Sequence, residues 1–310
     1  MDRPSTSHKS ATALGWPVLV GGILAASTAS VLIRLAHAPP LVVGAWRLLL
    51  AAVLLAPVAW RPALRGWQTL PRQDRWLLVA SGAALAAHFA AWISSLSLTS
   101  VASSVILVSS SPIMLAVASH WLLDERVGGM TILAMGLALA GTALVAYGDL
   151  ALTGQALLGN LLALLGAAAV SVYMLLGQRL RRRLSTIAYV WPCYAIAGLV
   201  LGAACVASGQ PMLGYQPRTY ALLLALAIVP QILGHSVFNW AVRHVPPVYV
   251  SVAMLGEPVG ATLLAWAILG EPPALTTVLG GVLILAGILA ASPSITRSLR
   301  SSRQRSMGTT

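Results

Sequence analysis

The sequence predicts an all-α membrane protein of ten transmembrane helices, built as two inverted repeats of five helices. Three observations carry this prediction. Of the residues, 58% are hydrophobic and only 8% are charged, whereas about a quarter of the residues in a soluble domain are charged. The apolar residues fall into ten segments. A motif also recurs, because Pro258 lies 146 residues after Pro112 and Glu271 lies 146 residues after Glu125.

The ten apolar segments are each near the roughly 20 residues that a helix needs to cross a bilayer. They are too long, and alternate too little, to be strands. The first segment is read as a retained helix and not as a signal peptide, because no small-residue cleavage site follows it closely. The predicted spans are 14–35, 41–60, 76–98, 101–123, 129–148, 157–178, 187–208, 219–242, 247–269 and 274–292.

The basic residues determine the predicted orientation. The net charge is +12, but the arginines cluster between apolar segments and not on one soluble face, which excludes nucleic acid as a partner and indicates a lipid bilayer. With the N-terminus in the cytoplasm, sixteen basic residues fall on the cytoplasmic side and two on the other. Cytoplasmic loops carry the excess of Lys and Arg. Both tails, 1–13 and 293–310, are therefore predicted to be cytoplasmic.

The two cysteines carry little information. Cys193 and Cys205 lie 12 residues apart in one apolar segment, which on a helix separates them by about 18 Å, too far for a disulfide.

The recurring motif divides the chain into two units, 14–148 and 149–292. Gly141 and Gly287 show the same 146-residue shift as the prolines and glutamates. Each unit holds five predicted spans, an odd number, so the second unit must enter the membrane from the opposite side. Inverted repeats are typical of secondary transporters, whose substrate site lies near the bilayer midplane between the two halves.

Particular residues also point to a family. The second span carries Trp46-Arg47-Leu48-Leu49-Leu50, and the ninth carries Glu257-Pro258 and ends in Leu269-Gly270-Glu271. With ten spans in two units, the chain resembles the EamA-like branch of the drug/metabolite transporter superfamily. It departs from that pattern in the first unit, at Asp124-Glu125 and Ser111-Pro112. The resemblance implies export of amino acids or other small metabolites from bacteria, and a cavity surrounded by spans 1–4 and 6–9.

The eighth span presents a polar stripe of Gln231, His235 and Asn239 at steps of four residues. In lipid these three groups would each need a partner, whereas lining a wet cavity satisfies them together. We interpret the stripe as part of the substrate site. The alternative is hydrogen bonding between helices.

The third span presents a second stripe, with His88 and Trp92 one turn apart on a face shared with Ser81 and Ser95. A tryptophan ring stacks on an apolar or cationic group, and an imidazole exchanges hydrogen bonds, so both are candidate substrate-binding residues. The alternative for the histidine is a bond to a neighbouring helix.

Two ionisable residues lie within predicted spans, where each costs roughly 2.5–3.5 kcal/mol on insertion scales. Arg47 is a candidate for binding a substrate carboxylate or closing an outer gate, with snorkelling to the headgroups as the alternative. Glu257 is a candidate proton site or partner for a substrate ammonium, with a structural carboxylate as the alternative. An Arg47–Glu257 pair is conceivable, but the sequence does not place the two together.

Spans 1 and 6 repeat a seven-residue step, from Ser27 to Arg34 and from Ser171 to Gln178. We add Ser27, Ser171, Gln178 and the nearby Tyr173 to the candidate substrate-binding residues.

The sequence lacks a Walker lysine motif, a Cys/His metal spacing and a nucleophile elbow. We therefore predict no cofactor, no metal and no enzymatic activity. The predicted function is a secondary carrier that exports amino acids or similar small metabolites across the bacterial inner membrane by alternating access, with a monomer as the expected state. Two alternatives stay open: a carrier of phosphorylated metabolites or drugs, and an integral-membrane enzyme acting on a lipid carrier.

Overall fold

The computed structural model describes residues 18, 20–115, 129–150, 154–237 and 256–290. Every regular element within these ranges is a helix, as the composition predicts. In chain order the helices are α1 (Val20–Leu35), α2 (Pro40–Thr69), α3 (Arg72–Ser95), α4 (Val101–Leu115), α5 (Gly129–Leu150), α6 (Gly154–Leu180), α7 (Thr186–Ala207), α8 (Pro217–His235), α9 (Gly256–Leu269) and α10 (Leu275–Ala290).

Five of these helices, α2, α3, α6, α7 and α8, are long and apolar enough to cross a membrane. The other five contain shorter apolar stretches. The count of ten membrane crossings and the cytoplasmic placement of both termini stay predictions. The helix that contains the second predicted span is longer than that span, because α2 continues from Trp60 to Thr69 and includes Pro57 and Pro62.

Local signals in the sequence explain where several helices begin and end. The Ser100 hydroxyl accepts a hydrogen bond from the Ser103 amide (3.0 Å) and so caps the start of α4. Pro40 and Pro217 occupy the first turns of α2 and α8, where the missing N–H of proline leaves no helical bond unmade. Gly270 ends α9 with φ = 69°, a left-handed conformation that glycine adopts readily.

The contacts between the two repeats come in exchanged pairs. Each helix of the first repeat has its counterpart five helices later, so that α1 corresponds to α6 and α3 to α8. The helix α3 packs on α6, and their counterparts α8 and α1 pack on each other as well. The same holds for α2 on α8 and α7 on α3, and for α4 on α6 and α9 on α1. Counterparts also pack on each other, as α2 does on α7 and α4 on α9. The two repeats are therefore related by an approximate two-fold exchange.

Counterpart helices run antiparallel. Near the start of α2, Gly44 faces Leu201 late in α7, and near its end Gly66 faces Leu184, just before α7 begins. In the pair α5 and α10, Gly141 faces Gly280, while the earlier segment Ala134–Ala138 faces the later Gly287. Antiparallel counterparts are what an inverted repeat requires.

The distribution of polarity is that of a protein in lipid. Large apolar side chains cover much of the outside; Val206, for example, is 75% exposed. The interior, by contrast, holds the fully buried Arg47 and the buried Gln231 and His88. A soluble protein almost never buries an arginine while exposing so much apolar surface.

Candidate functional site

Arg47 lies buried between the two repeats. Its side chain is fully buried, with 0% exposure, which excludes the snorkelling alternative. Its Nε donates a hydrogen bond of 2.6 Å to Oε1 of Gln231, which is 1% exposed. Arg47 belongs to α2 in the first repeat and Gln231 to α8 in the second. A charge-assisted hydrogen bond therefore joins the two repeats deep in the bundle.

Aromatic rings from α3 surround the same guanidinium. The Arg47 Cζ atom lies 4.5 Å from the ring centroid of Phe89 and 5.9 Å from that of Trp92. A cation over an aromatic face at this distance is attracted by the ring, more strongly where water is excluded. The sequence did not single out Phe89, although the chain has only two phenylalanines and this one adjoins His88.

We call Arg47, Phe89, Trp92 and Gln231 the central cluster. Three buried hydrogen-bond donors in this cluster have no partner among the described residues. They are Nη1 and Nη2 of Arg47 and Nε1 of Trp92. Buried polar groups in folded proteins are nearly always paired. The unsatisfied capacity here consists entirely of donors, so the cluster is complementary to a group rich in acceptors.

The two predicted stripes meet at Phe89. The His235 ring on α8 lies 6.1 Å from the Phe89 ring, nearly perpendicular to it. The His88 ring stacks parallel to that of Trp92 at 5.9 Å, and His88 Nδ1 donates a hydrogen bond of 2.9 Å to the Gly166 carbonyl on α6. His88 thus bonds to a neighbouring helix, as its alternative interpretation requires, and also supports Trp92. Asn239, the last residue of the eighth-span stripe, lies outside the described residues.

The stripe of α8 lies on an unusual backbone. Residues Ala227–His235 form π-helical turns, and Pro230 lies within them. Proline cannot donate the usual helical hydrogen bond, and π-bulges of this kind are frequent at functional sites. Tyr194, a buried residue of α7 that the sequence did not single out, brings its hydroxyl to 3.4 Å from Ser236 Oγ at the end of the π-helical segment.

Glu257 lies in the first turn of α9, beside α1. The Ser27 hydroxyl donates to the backbone carbonyls of Ile23 (2.8 Å) and Glu257 (3.3 Å). The ion pairs among the described residues do not include Arg47 with Glu257. Arg47 bonds to Gln231 instead, so the conceivable direct pair is not formed.

The remaining candidates lie in a second polar group, on α6 and the helices α3, α4 and α7 that face it. The Ser171 hydroxyl donates to the carbonyls of Ala167 (2.7 Å) and Ser111 (2.9 Å). The Tyr173 ring stacks on that of Tyr189 at 5.6 Å. Gln178 is partly exposed near the end of α6. These residues form no contact with the Arg47 guanidinium comparable to those of Phe89 and Gln231.

Within the second polar group, the Tyr189 hydroxyl holds two helices together. It lies 2.6 Å from Ser81 Oγ on α3 and donates to the Tyr173 carbonyl on α6 at 3.1 Å. Ser81 belongs to the third-span stripe, so that stripe bonds to neighbouring helices at this position.

Ion pairs join the repeats at both ends of the bundle. Arg34, just before α2 begins, pairs with Glu271 at 3.1 Å, and Glu271 also accepts a hydrogen bond from the Val101 amide at 3.1 Å. Asp74, just after α2 ends, pairs with Arg179 at 2.9 Å and with Arg183 at 3.6 Å. The 30 residues of α2 span about 45 Å, so the two groups of ion pairs lie at opposite ends.

Known proteins resemble this chain over most of its length. A protein from Archaeoglobus fulgidus named an uncharacterized transporter is 25% identical over 276 residues, covering 86% of this chain and 92% of that protein. The Bacillus subtilis uncharacterized transporter YdfC is 24% identical, over 59% of this chain and 60% of that protein. One crystal structure, at 21% identity, superposes with a TM-score of 0.64 over 94% of this chain and 99% of its own, which is a likeness of fold.

The family model described as the EamA-like transporter family matches twice, over residues 13–147 and 157–292. Together the two matches cover most of the chain, and they follow the division into repeats that the antiparallel counterparts display. The chain therefore belongs to the EamA-like transporter family and is a multi-pass membrane transporter.

Proposed function

We propose that this transporter is a secondary carrier that exports amino acids or similar small metabolites across the bacterial inner membrane by alternating access. The observation that carries the proposal is the buried Arg47–Gln231 hydrogen bond, 2.6 Å long, between the two repeats. A substrate bound there touches both halves at once. Motion of one half against the other then exposes it to either side in turn.

The ion pairs at the two ends support this mechanism. Arg34–Glu271 closes one end and Asp74–Arg179 the other, and each pair joins the first repeat to the second. In a rocking motion one end opens while the other stays closed. The central cluster lies between them and can remain intact through the cycle.

The charge of the cluster supports the substrate class. Among the described residues the cluster contains a single arginine, Arg47, and Glu257 on α9 is the acidic residue among the proposed substrate-binding residues. A molecule whose own charges cancel matches such a site, whereas a phosphorylated metabolite would need several basic residues. We propose that the substrate-binding residues are Arg47, His88, Trp92, Gln231, His235, Asn239 and Glu257, with Ser27, Ser171, Tyr173 and Gln178 further along the path.

Counterflow in proteoliposomes tests the proposal. A panel of L-amino acids is loaded inside, and uptake of the labelled compound is followed for the wild type and for Glu257→Gln. We expect at least one amino acid to exchange and Glu257→Gln to reduce its flux at least tenfold with a normal gel-filtration profile. If Glu257→Gln lowers the folded yield and leaves the flux per folded molecule unchanged, Glu257 is structural; if no amino acid exchanges, the proposed substrate class is wrong.

A pH gradient separates two modes of transport. If Glu257 carries protons, an imposed gradient changes the wild-type flux and leaves that of Glu257→Gln unaffected. An equal flux with and without the gradient in the wild type means that the carrier works by facilitated diffusion.

A further inference from the structure

The unsatisfied groups of the central cluster have a single chemical character. Arg47 Nη1, Arg47 Nη2 and Trp92 Nε1 are all buried donors without a partner among the described residues. A buried donor left unpaired is costly, and more so when it is charged. A ligand that supplies two oxygen acceptors at this place recovers that loss.

The surroundings of Arg47 limit the direction from which such a ligand can bind. The Arg47 Nε is already engaged by Gln231, which fixes the rotation of the guanidinium. The Phe89 ring, 4.5 Å from Cζ, covers one face. The free edge with its two Nη atoms therefore remains, and this edge is the part of arginine that binds a carboxylate through two parallel hydrogen bonds.

We propose that Arg47 and Trp92 form the carboxylate-binding subsite of this carrier, with the carboxylate on the guanidinium edge. This inference rests on the proposed function and names the part of the substrate that Arg47 and Trp92 recognise. Trp92 Nε1 supplies a third donor beside the guanidinium, whose Cζ lies 5.9 Å from the indole ring. His88 holds that indole in place by stacking on it and bonding to Gly166.

The subsite makes a prediction about pairs of ligands that differ in one group. An L-amino acid and its carboxamide have the same side chain and the same amino group, but the carboxamide lacks the anionic oxygens. A bidentate arginine rejects such an analogue strongly, because its own donors are left unpaired. Binding of the twenty L-amino acids and their carboxamides is measured by thermal stabilisation of the purified full-length protein in detergent.

In the wild type we expect at least one amino acid to bind at least tenfold more tightly than its carboxamide. Arg47→Lys abolishes that preference, because a lysine lacks the planar fork, and Trp92→Phe weakens binding of the acid several-fold while sparing that of the carboxamide. The exposed Arg218 provides the matched control, since Arg218→Lys leaves both affinities unchanged. Equal binding of acid and carboxamide by the wild type overturns the subsite, and that measurement requires no variant to fold.

The outcome is separable from that of the proposed function. If amines without a carboxylate are transported and no amino acid binds, the carboxylate subsite is wrong while the carrier stands. If amino acids bind in a carboxylate-dependent way but counterflow is absent for all of them, the subsite stands and the carrier function fails.

Discussion

A methyl group added at Gly141 tests the antiparallel packing of α5 on α10. A Cβ at this position would lie 2.5 Å from the backbone oxygen of Gly280 and 3.1 Å from the backbone nitrogen of Ile284. Backbone atoms of a helix cannot rotate away as a side chain does, so Gly141→Ala forces the two helices about 1 Å apart. The contact is reciprocal, because a Cβ on Gly280 would lie 2.6 Å from the Gly141 oxygen.

The expected loss follows from two opposing effects. Forcing an extra methyl into a packed interface costs about 1–3 kcal/mol, while replacing glycine by alanine within a helix recovers roughly 0.5–1 kcal/mol. The net destabilisation is therefore about 1 kcal/mol, and we expect the melting temperature of the full-length protein in detergent to fall by roughly 1–2 °C. Fluorescence-detected size-exclusion chromatography after heating measures this change.

Gly136 provides the control within the same helix, because a Cβ added there meets nothing within 4 Å. Gly136→Ala is expected to melt at or slightly above the wild-type temperature. If Gly141→Ala and Gly136→Ala melt together, the close crossing of α5 and α10 does not exist, and the inverted arrangement of the two repeats loses its most direct support.

Two further predictions concern polar contacts between helices. The Arg34–Glu271 pair is about a third exposed, and such ion pairs contribute up to about 1 kcal/mol to stability. The Asp74 side chain is nearly buried. Its substitution by asparagine removes a charge-assisted hydrogen bond, which contributes about 1.5–3 kcal/mol. We expect Asp74→Asn to lower the melting temperature more than Glu271→Gln does; the reverse order would contradict the observed burial. Tyr189→Phe removes the hydroxyl that bonds α3 to α6, so we expect a lower melting temperature by about 1 kcal/mol with normal counterflow. Lost counterflow at an unchanged melting temperature would instead place Tyr189 in the substrate path.

Much of the fold follows from composition, because lipid leaves so few options for the backbone. In hydrocarbon every N–H and C=O must be bonded within the protein, so a long apolar segment becomes a helix. The end of α2 was harder to predict. Pro57 and Pro62 with the intervening Arg61 resemble the end of a span, yet the helix continues to Thr69. The added turns pack on the second repeat, as Gly66 does on Leu184. Rules that use only neighbouring residues cannot predict a contact between residues so far apart in the chain.

Helical spacing grouped several residues that lie near Arg47, but it did not give their contacts. Helical spacing identified His88 with Trp92 and Gln231 with His235, and these residues do converge. Spacing could not reveal that Arg47 bonds to Gln231, 184 positions away. That pairing depends on how two helices from different repeats cross. Phe89 was not predicted for a related reason. An apolar residue in an apolar span does not stand out in the sequence, and only the fold shows that the Arg47 guanidinium lies 4.5 Å from its ring.

Two helix contacts between the repeats show how an inverted carrier can come to favour one of its two open states. The contact of α3 with α6 and its counterpart, the contact of α8 with α1, exchange with each other when the two repeats are exchanged. Their chemistry has nevertheless diverged. Asp74 forms ion pairs where α3 meets α6. Where α8 meets the end of α1, the Thr219 hydroxyl instead donates a hydrogen bond to the Ala36 carbonyl at 3.0 Å.

This divergence has a thermodynamic consequence. Two identical repeats would make the two open states of an alternating-access carrier equal in free energy, since exchanging the repeats exchanges the states. Any bias toward one state must therefore come from residues that differ between equivalent positions. Arg34, at the end of α1, pairs with Glu271 just after α9, whereas Asp74 at the start of α3 pairs with Arg179 on α6. The unequal contacts at the two ends are thus one place where the sequence can set which side of the bundle opens more readily.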